Sequence, residues 1–469
     1  MIKGHERINA VAGLLLAVVM LGMILFEYSG SHVIAAIAGG LAVLVVLAFC
    51  LSVPAKEVTF VAIGLVLVIW AMATHQDWPA GLLKAVETGT FVIALYCALS
   101  ALRSAAIRSP AILECGRFLA RQPPGRRYLA LTIGGHLFGL ILMYGSIALL
   151  GSLAVESTAS EPDARIRRLR LRRMLVAIQR GFAATLCWSP LTFSMVITLA
   201  LVPGASWGAV LLPCLVTTAL MIAVGWAMDT IFKPRLTQTP PPRPPESGSW
   251  LRYLRPLILL LAIVAAGTLL LYLLTGVEVI GAVMTLVPLI ALIWSFAQAD
   301  PALGPRLPQT RRRVAAFLMQ ELPTYRSQIV LLFMAGFIGS LGAFVLVPAI
   351  QRTGLDLTVL PPQLIVVAMV WLVPLTGQIG MNPILAVSLL VPLLPSPEVL
   401  GIPPAAMVVA ITGGWALSGT TSPFTASVLL VASFGKIPPR DVGLKWNLAY
   451  VLVMGVLISL WALLLTVLP

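Results

Sequence analysis

MLVAIQRGFAATLCWSPLTFS, residues 174–194, aligns without a gap on MVVAITGGWALSGTTSPFTAS, residues 407–427, at an offset of 233. Ten of the 21 positions are identical: Met174/Met407, Val176/Val409, Ala177/Ala410, Ile178/Ile411, Gly181/Gly414, Ala183/Ala416, Ser189/Ser422, Pro190/Pro423, Thr192/Thr425 and Ser194/Ser427. Each copy is an apolar helical run interrupted by a small, polar Ser-Pro segment. In hydrocarbon such a break is costly, because the freed backbone groups find no water. Breaks of this kind persist where they line a cavity, and matching breaks in two halves of a chain point to a transporter binding site.

Working outward, the chain is a membrane protein by composition. Of its 469 residues 59% are hydrophobic and only 10% charged, and the mean hydropathy is +1.00. Several runs approach the roughly 20 residues that cross a bilayer. The expected fold class is an all-α integral membrane protein with about 11 transmembrane spans in two inverted repeats, each holding a re-entrant hairpin and a broken helix. Five cysteines lie in or beside apolar runs without ligand spacing, which reads as packing, not a disulfide frame or metal site. The run Asn9 to Phe26 is long and ends in no clear cleavage site, so it is expected to be an uncleaved first span.

Taken in order, residues 1–89 supply N-terminal scaffold spans at about 8–26, 32–52 and 57–74. An amphipathic segment from Trp78 to Thr88, carrying Lys84 and Glu87, is expected to lie in the interface ahead of a fourth span at 90–103. Residues 90–232 form the first repeat. It holds a hairpin at 128–155, turning near Tyr144-Gly145-Ser146, a broken helix at 174–202 and a span at 206–228. The stretch 233–255 is Pro-rich, TQTPPPRPPESGS, and reads as an extended cytoplasmic linker. Residues 256–327 add scaffold spans at 256–274 and 278–297. Residues 328–469 form the second repeat: a span at 328–347, a hairpin at 362–396 broken by Gly377-Gln378-Ile379-Gly380-Met381-Asn382-Pro383, a broken helix at 404–432 and a last span at 444–467.

Charge orients this topology. Of 31 Lys and Arg, only Lys84 and Arg352 fall on the expected outer side. That sets the chain in a bacterial-type inner membrane, with the N-terminus cytoplasmic and the C-terminus outside. It also accounts for the net charge of +14, which faces anionic membrane lipids and excludes nucleic acid as the natural partner. The two broken helices then run in opposite directions.

Charged side chains are almost absent from the expected hydrocarbon, and no catalytic carboxylate pair or phosphate loop occurs. The chain is therefore read as no enzyme. Its chemistry rests on hydroxyls, amides, carbonyls and helix ends, which hold anions at N-termini and cations at unwound carbonyls. The candidate substrate-binding residues are Tyr144, Gly145, Ser146, Trp188, Ser189, Pro190, Thr192, Asn382, Thr420, Thr421, Ser422 and Pro423. His136, the one histidine deep in a span, is a candidate proton carrier. Arg180, beside the first break, either meets an anion or snorkels to the cytoplasm.

The order span, hairpin, broken span, span, repeated inverted, resembles the ion transporter superfamily and most nearly the divalent anion/sodium symporters, over roughly residues 90 to 467. The resemblance is carried by SPAILECGRFLARQPPGRRYLALTIGGHLFGLILMYGSIALLGSL (109–153), by LTGQIGMNPILAVSLLVPLL (375–394), and by SGTTSPFTAS (418–427) followed by FGKIPPRD (434–441). It implies an elevator-type symporter or antiporter that works as a homodimer, needs no cofactor beyond Na+ as coupling ion, and carries a small-molecule substrate. Ser146, Thr376 and Asn382 are the coupling-ion candidates it implies. The chain departs from the family where Ser-Asn-Thr is expected: Met381-Asn382-Pro383 keeps only the amide, and Tyr144-Gly145-Ser146 has none. The bulk of Tyr144, Trp188 and Trp415 points to a substrate with apolar or ring surface. The alternative function is an integral membrane enzyme, or a flippase or scramblase, acting on a lipid-linked substrate.

Overall fold

The computed structural model describes residues 2–233, 249–352 and 357–467. They are almost entirely helical: α1 Ile2–Ser29, α2 His32–Cys50, α3 Ala55–Thr74, α4 Trp78–Ile107, α5 Pro110–Ala120, α6 Pro124–Leu142, α7 Tyr144–Ala159, α8 Ala164–Thr185, α9 Phe193–Leu201, α10 Trp207–Ile231, α11 Trp250–Thr275, α12 Val279–Ala297, α13 Arg306–Ala316, α14 Arg326–Arg352, α15 Pro362–Gln378, α16 Pro383–Leu390, the single turn α17 Pro397–Leu400, α18 Pro404–Thr421, α19 Ala426–Gly435, the single turn α20 Pro439–Asp441 and α21 Leu448–Leu465. Among the described residues ten helical segments are long and apolar enough to cross a membrane. The span expected at 174–202 arrives in two pieces, α8 and α9. The all-α membrane fold read from the sequence is the fold observed. Of the Pro-rich linker expected at 233–255, residues 234–248 lie outside the described residues, and Trp250 onward already belongs to α11.

The chain divides into two compact units. The first contains Met1–Arg108, Ile263–Val359 and Val387–Pro395. In it α4 is one continuous helix of 30 residues, so the separate interfacial segment expected from Trp78 to Thr88 does not exist. Three local causes extend it. Pro79 sits in the first turn, where a proline is tolerated. Lys84 and Glu87 pair with each other at 2.6 Å. Gly81 and Gly89 face Phe344 and Phe333 of α14, so one face of this segment is packed inside the unit while Leu83 and Lys84 stay exposed.

The second unit contains Ser109–Ala262, Leu360–Ala386 and Ser396–Pro469. It holds both broken helices, and its core is built twice on one plan. In the first copy α6 crosses α8 so closely that a Cβ on Gly181 would collide with the Thr132 carbonyl oxygen. In the second copy α15 crosses α18, and a Cβ on Gly414 would stand 2.8 Å from the Met369 carbonyl oxygen. Gly181 and Gly414 are the paired glycines of the repeat. Small residues at these crossings let backbones approach where hydrocarbon offers no hydrophobic drive. The basic run that follows the first hairpin is not a loop. It is the first turns of α8, started by Asp163, whose carboxylate accepts from the Arg165 and Ile166 amides at 2.7 and 3.1 Å.

Candidate functional site

The two breaks lie within the second unit at residues 186–192 and 422–425, and they are built by the same turn. Leu191 N donates to Ser189 Oγ at 3.2 Å, and Phe424 N donates to Ser422 Oγ at 3.3 Å. Thr192 N and Oγ1 both donate to the Ser189 carbonyl, at 3.1 and 2.8 Å. Thr425 N and Oγ1 do the same to the Ser422 carbonyl, at 3.2 and 2.9 Å. Every bond has its partner 233 positions on. A serine that turns its hydroxyl on the amide two residues ahead competes with the helix ladder and ends it. The proline that follows removes a further donor. This is why Ser-Pro-x-Thr recurs.

The breaks are brought together. Leu186, the first residue past α8, places its Cδ1 3.4 Å from where a Cβ on Gly419 would sit, two residues short of the end of α18. Two helix C-terminal ends therefore converge, each with partial negative charge. Buried hydroxyls crowd the same segments: Ser189, Thr192, Ser194, Thr198, Ser418, Thr420, Thr421, Ser422 and Ser427 are all under 9% exposed. Thr420 and Thr421 bond back to the Leu417 carbonyl within α18. Among the described residues the hydroxyls of Ser194, Thr198 and Ser418 find no hydrogen-bond partner.

Hairpin α15–α16 closes against the second break. Ser422 Oγ donates to the Gly377 carbonyl at 2.7 Å, and Ser418 crowds the same glycine. Thr376, half-buried, donates its hydroxyl to the Val373 carbonyl, and its own carbonyl accepts from the Met381 amide. Asn382 Oδ1 accepts from the Ile384 amide at 2.9 Å, capping α16. Pro423, which follows Ser422, is buried.

Hairpin α6–α7 turns at Met143, whose φ of +52° is unusual for a side chain of its size. Tyr144, Gly145 and Ser146 thus form the first turn of α7, one residue beyond the bend. Tyr144 packs on Phe182 of α8 with ring centroids 5.1 Å apart, and Ser146 Oγ donates to the Met143 carbonyl. Trp188, half-buried at the first break, stacks on His136 of α6 and donates its indole N–H to His136 Nε2 at 3.2 Å. An indole only donates, so Nε2 carries no proton in this arrangement. The Trp188 carbonyl accepts from Trp207 at 2.9 Å. Among the described residues no hydrogen bond joins Ser189 to Asn382, and no three His, Cys, Asp or Glu gather to hold a metal ion.

One cluster was not legible in the sequence. Arg180 neither snorkels nor stands alone. It is 7% exposed, with its Nε on Asn447 Oδ1 at 3.0 Å, Nη1 on Tyr128 Oη at 3.1 Å and Nη2 on the Trp446 carbonyl at 3.3 Å. Its plane lies over Tyr450. Asn447 donates to Gln179 Oε1 and to the Val442 carbonyl. Gln179 in turn reaches the Gly419 and Thr420 carbonyls at 3.4 and 3.5 Å. Asn447 is delivered by a π-helical turn, Val442–Asn447, a distortion frequent at functional positions. The signal that could have found the cluster is a mismatch: Gln179-Arg180 stands where the second copy has Thr412-Gly413.

No family model and no curated protein sequence matches the chain. Solved structures do. The YdaH transporter of Alcanivorax borkumensis superposes with a TM-score of 0.57 at 16% identity, covering 88% of this chain and 98% of that one. MtrF of Neisseria gonorrhoeae, described as illuminating a class of antimetabolite efflux pumps, superposes with a TM-score of 0.55 at 16% identity, covering 89% and 96%. The chain shares the fold of these two membrane transporters along nearly its whole length.

Proposed function

We propose that the chain is a secondary active transporter that moves a small organic anion across the inner membrane. The observation that carries this reading is the pair of identically built breaks, set side by side and surrounded by buried hydroxyls. The shared fold with two transporters supports it. The finer placing, near the divalent anion/sodium symporters of the ion transporter superfamily, rests on the order of hairpins and broken helices.

In this reading the second unit is the carrier and the first the scaffold, which pairs with a second copy to make a homodimer. An elevator stroke displaces one unit against the other. The converging C-terminal ends of α8 and α18, with Ser418 and Ser422 against Gly377, next to Thr376 on the hairpin that also carries Asn382, suit a cation such as Na+ better than an anion. His136, tied to the first break through Trp188, is the candidate group for proton coupling instead. Purified protein in proteoliposomes tests the proposal. Uptake of labelled organic anions is measured under an imposed Na+ gradient, an imposed proton gradient, and neither. Gradient-driven accumulation is expected; equilibration alone, or hydrolysis of a lipid-linked substrate, would overturn it.

A further inference from the structure

The second unit treats its arginines unequally. Arg173, midway along α8, holds both oxygens of Asp229 of α10. Arg170 is paired with Glu161. Arg180 lies two turns deeper on the same helix, more buried than either, and among the described residues it has no carboxylate partner. The groups its guanidinium bonds or stacks on are all neutral: an amide oxygen, a phenol, a backbone carbonyl and the face of Tyr450. A buried cation with no counter-charge is strongly unfavourable, and proteins normally pair it.

The donors around it do not balance either. Asn447 and Gln179 have their amide hydrogens directed at carbonyl oxygens. Arg180 has five N–H groups. Three are donated, one each from Nε, Nη1 and Nη2. One on each terminal nitrogen is left. Tyr128 accepts from Arg180 through its oxygen, so its own O–H remains to be donated, and its residue is 5% exposed. Three donors and one positive charge thus meet at one place, and among the described residues no acceptor answers them. Asp229 is the carboxylate on the neighbouring stretch of α10, one turn beyond Gly225, and Arg173 already occupies it. The pseudo-symmetry sharpens the point. The repeat copies share the groups that build the breaks, but the second copy has Gly413 in place of Arg180. The charge serves something the scaffold of the repeat does not need.

We propose that Arg180 and Tyr128 anchor the carboxylate of a small monoanionic substrate. A carboxylate accepts from two N–H groups of one guanidinium in parallel and from a phenol, and it cancels the charge. The α18 end is linked to Arg180 only through Gln179, whose amide hydrogens meet the Gly419 and Thr420 carbonyls, and through Asn447, so the anchor communicates with the second break without resting on its negative end. This rests on the transporter reading and specifies which group of the cargo is recognised.

The test uses the full chain in detergent and benzoate as probe, with benzamide, its uncharged counterpart, and chloride as controls at equal ionic strength. Benzoate is expected to raise the melting temperature at concentrations where benzamide and chloride do not. Tyr128→Phe keeps the ring and removes one donor; it should weaken benzoate roughly three- to tenfold, and Arg180→Gln should abolish the preference over benzamide. A purely architectural role predicts lower melting temperatures with the preference intact. If Arg180→Gln does not fold, Tyr128→Phe and Arg180→Lys decide, the latter losing the parallel geometry but not the charge. No preference for benzoate in the natural sequence, or a preference unchanged in the variants, would overturn the anchor. Flux in proteoliposomes separates the two readings. Arg180-dependent binding without any transport refutes the transporter and leaves the anchor. Gradient-driven transport with Arg180-independent binding does the reverse.

Discussion

At the scale of single residues, polar groups at the breaks carry two duties that substitutions can separate. Asn382 caps α16 through its side-chain oxygen, which alone would explain its place. As a proposed ligand it has a second duty, because its amide hydrogens remain for cargo or water. Asn382→Ala should cost about 1 kcal/mol of stability through the lost cap. Asn382→Asp keeps an acceptor at the cap and should restore that stability. If Asn382 touches substrate or coupling ion, both variants transport about ten- to a hundredfold less efficiently, since an unpaired group at a binding site forfeits about 1–3 kcal/mol. Wild-type flux in Asn382→Asp would reduce the residue to a cap. Ser422 is more demanding than Ser189, because its hydroxyl also satisfies the Gly377 carbonyl across to α15. Ser422→Ala should therefore destabilise by about 1–3 kcal/mol, and Ser189→Ala by less, as read by melting curves of the two purified variants.

At the scale of elements, the bend of the first hairpin is where the backbone is least comfortable. Met143 holds φ +52° and ψ −128°, a region open to glycine and closed to most side chains. Met143→Gly should raise stability by about 1 kcal/mol, and Met143→Val should lower it; a melting shift in the opposite direction would show that the thioether packs too well to lose. The helix crossings predict the opposite behaviour of glycine. Gly181→Val drives a branched side chain into the Thr132 carbonyl and should abolish folded yield, whereas the exposed Gly208, with open space beside it, tolerates Ala. These elements show what was legible in the sequence. The breaks could be read because their chemistry is local: Ser-Pro-x-Thr closes its own turn within three residues. The Arg180 cluster could not, since its bonds join residues 52 and 268 positions apart, and no periodicity relates them. The interfacial segment at Trp78–Thr88 was misjudged for a related reason. Its charges looked solvated, but Lys84 and Glu87 answer each other and its glycines serve a packed face that only the fold reveals.

At the scale of the whole molecule, the charge bias predicts a direction that can be measured. Cysteines placed in the 233–255 linker should react with an impermeant thiol reagent only after the membrane is opened, and one placed after Leu465 should react on intact cells. The reverse pattern would invert the topology. The natural cysteines do not obscure this test, because all five are free and four are buried. The twin Ser-Pro turns bear on the cycle itself. Each closes its three bonds within four residues of its own, Ser189–Thr192 and Ser422–Thr425, so neither turn depends on a guest to form in a medium without water. A carrier made this way can reset without cargo, and net accumulation is open to it. Radiotracer efflux into substrate-free buffer should then proceed at a rate comparable to exchange against substrate on the far side, the behaviour of a pump with an empty return stroke and not of an obligate exchanger.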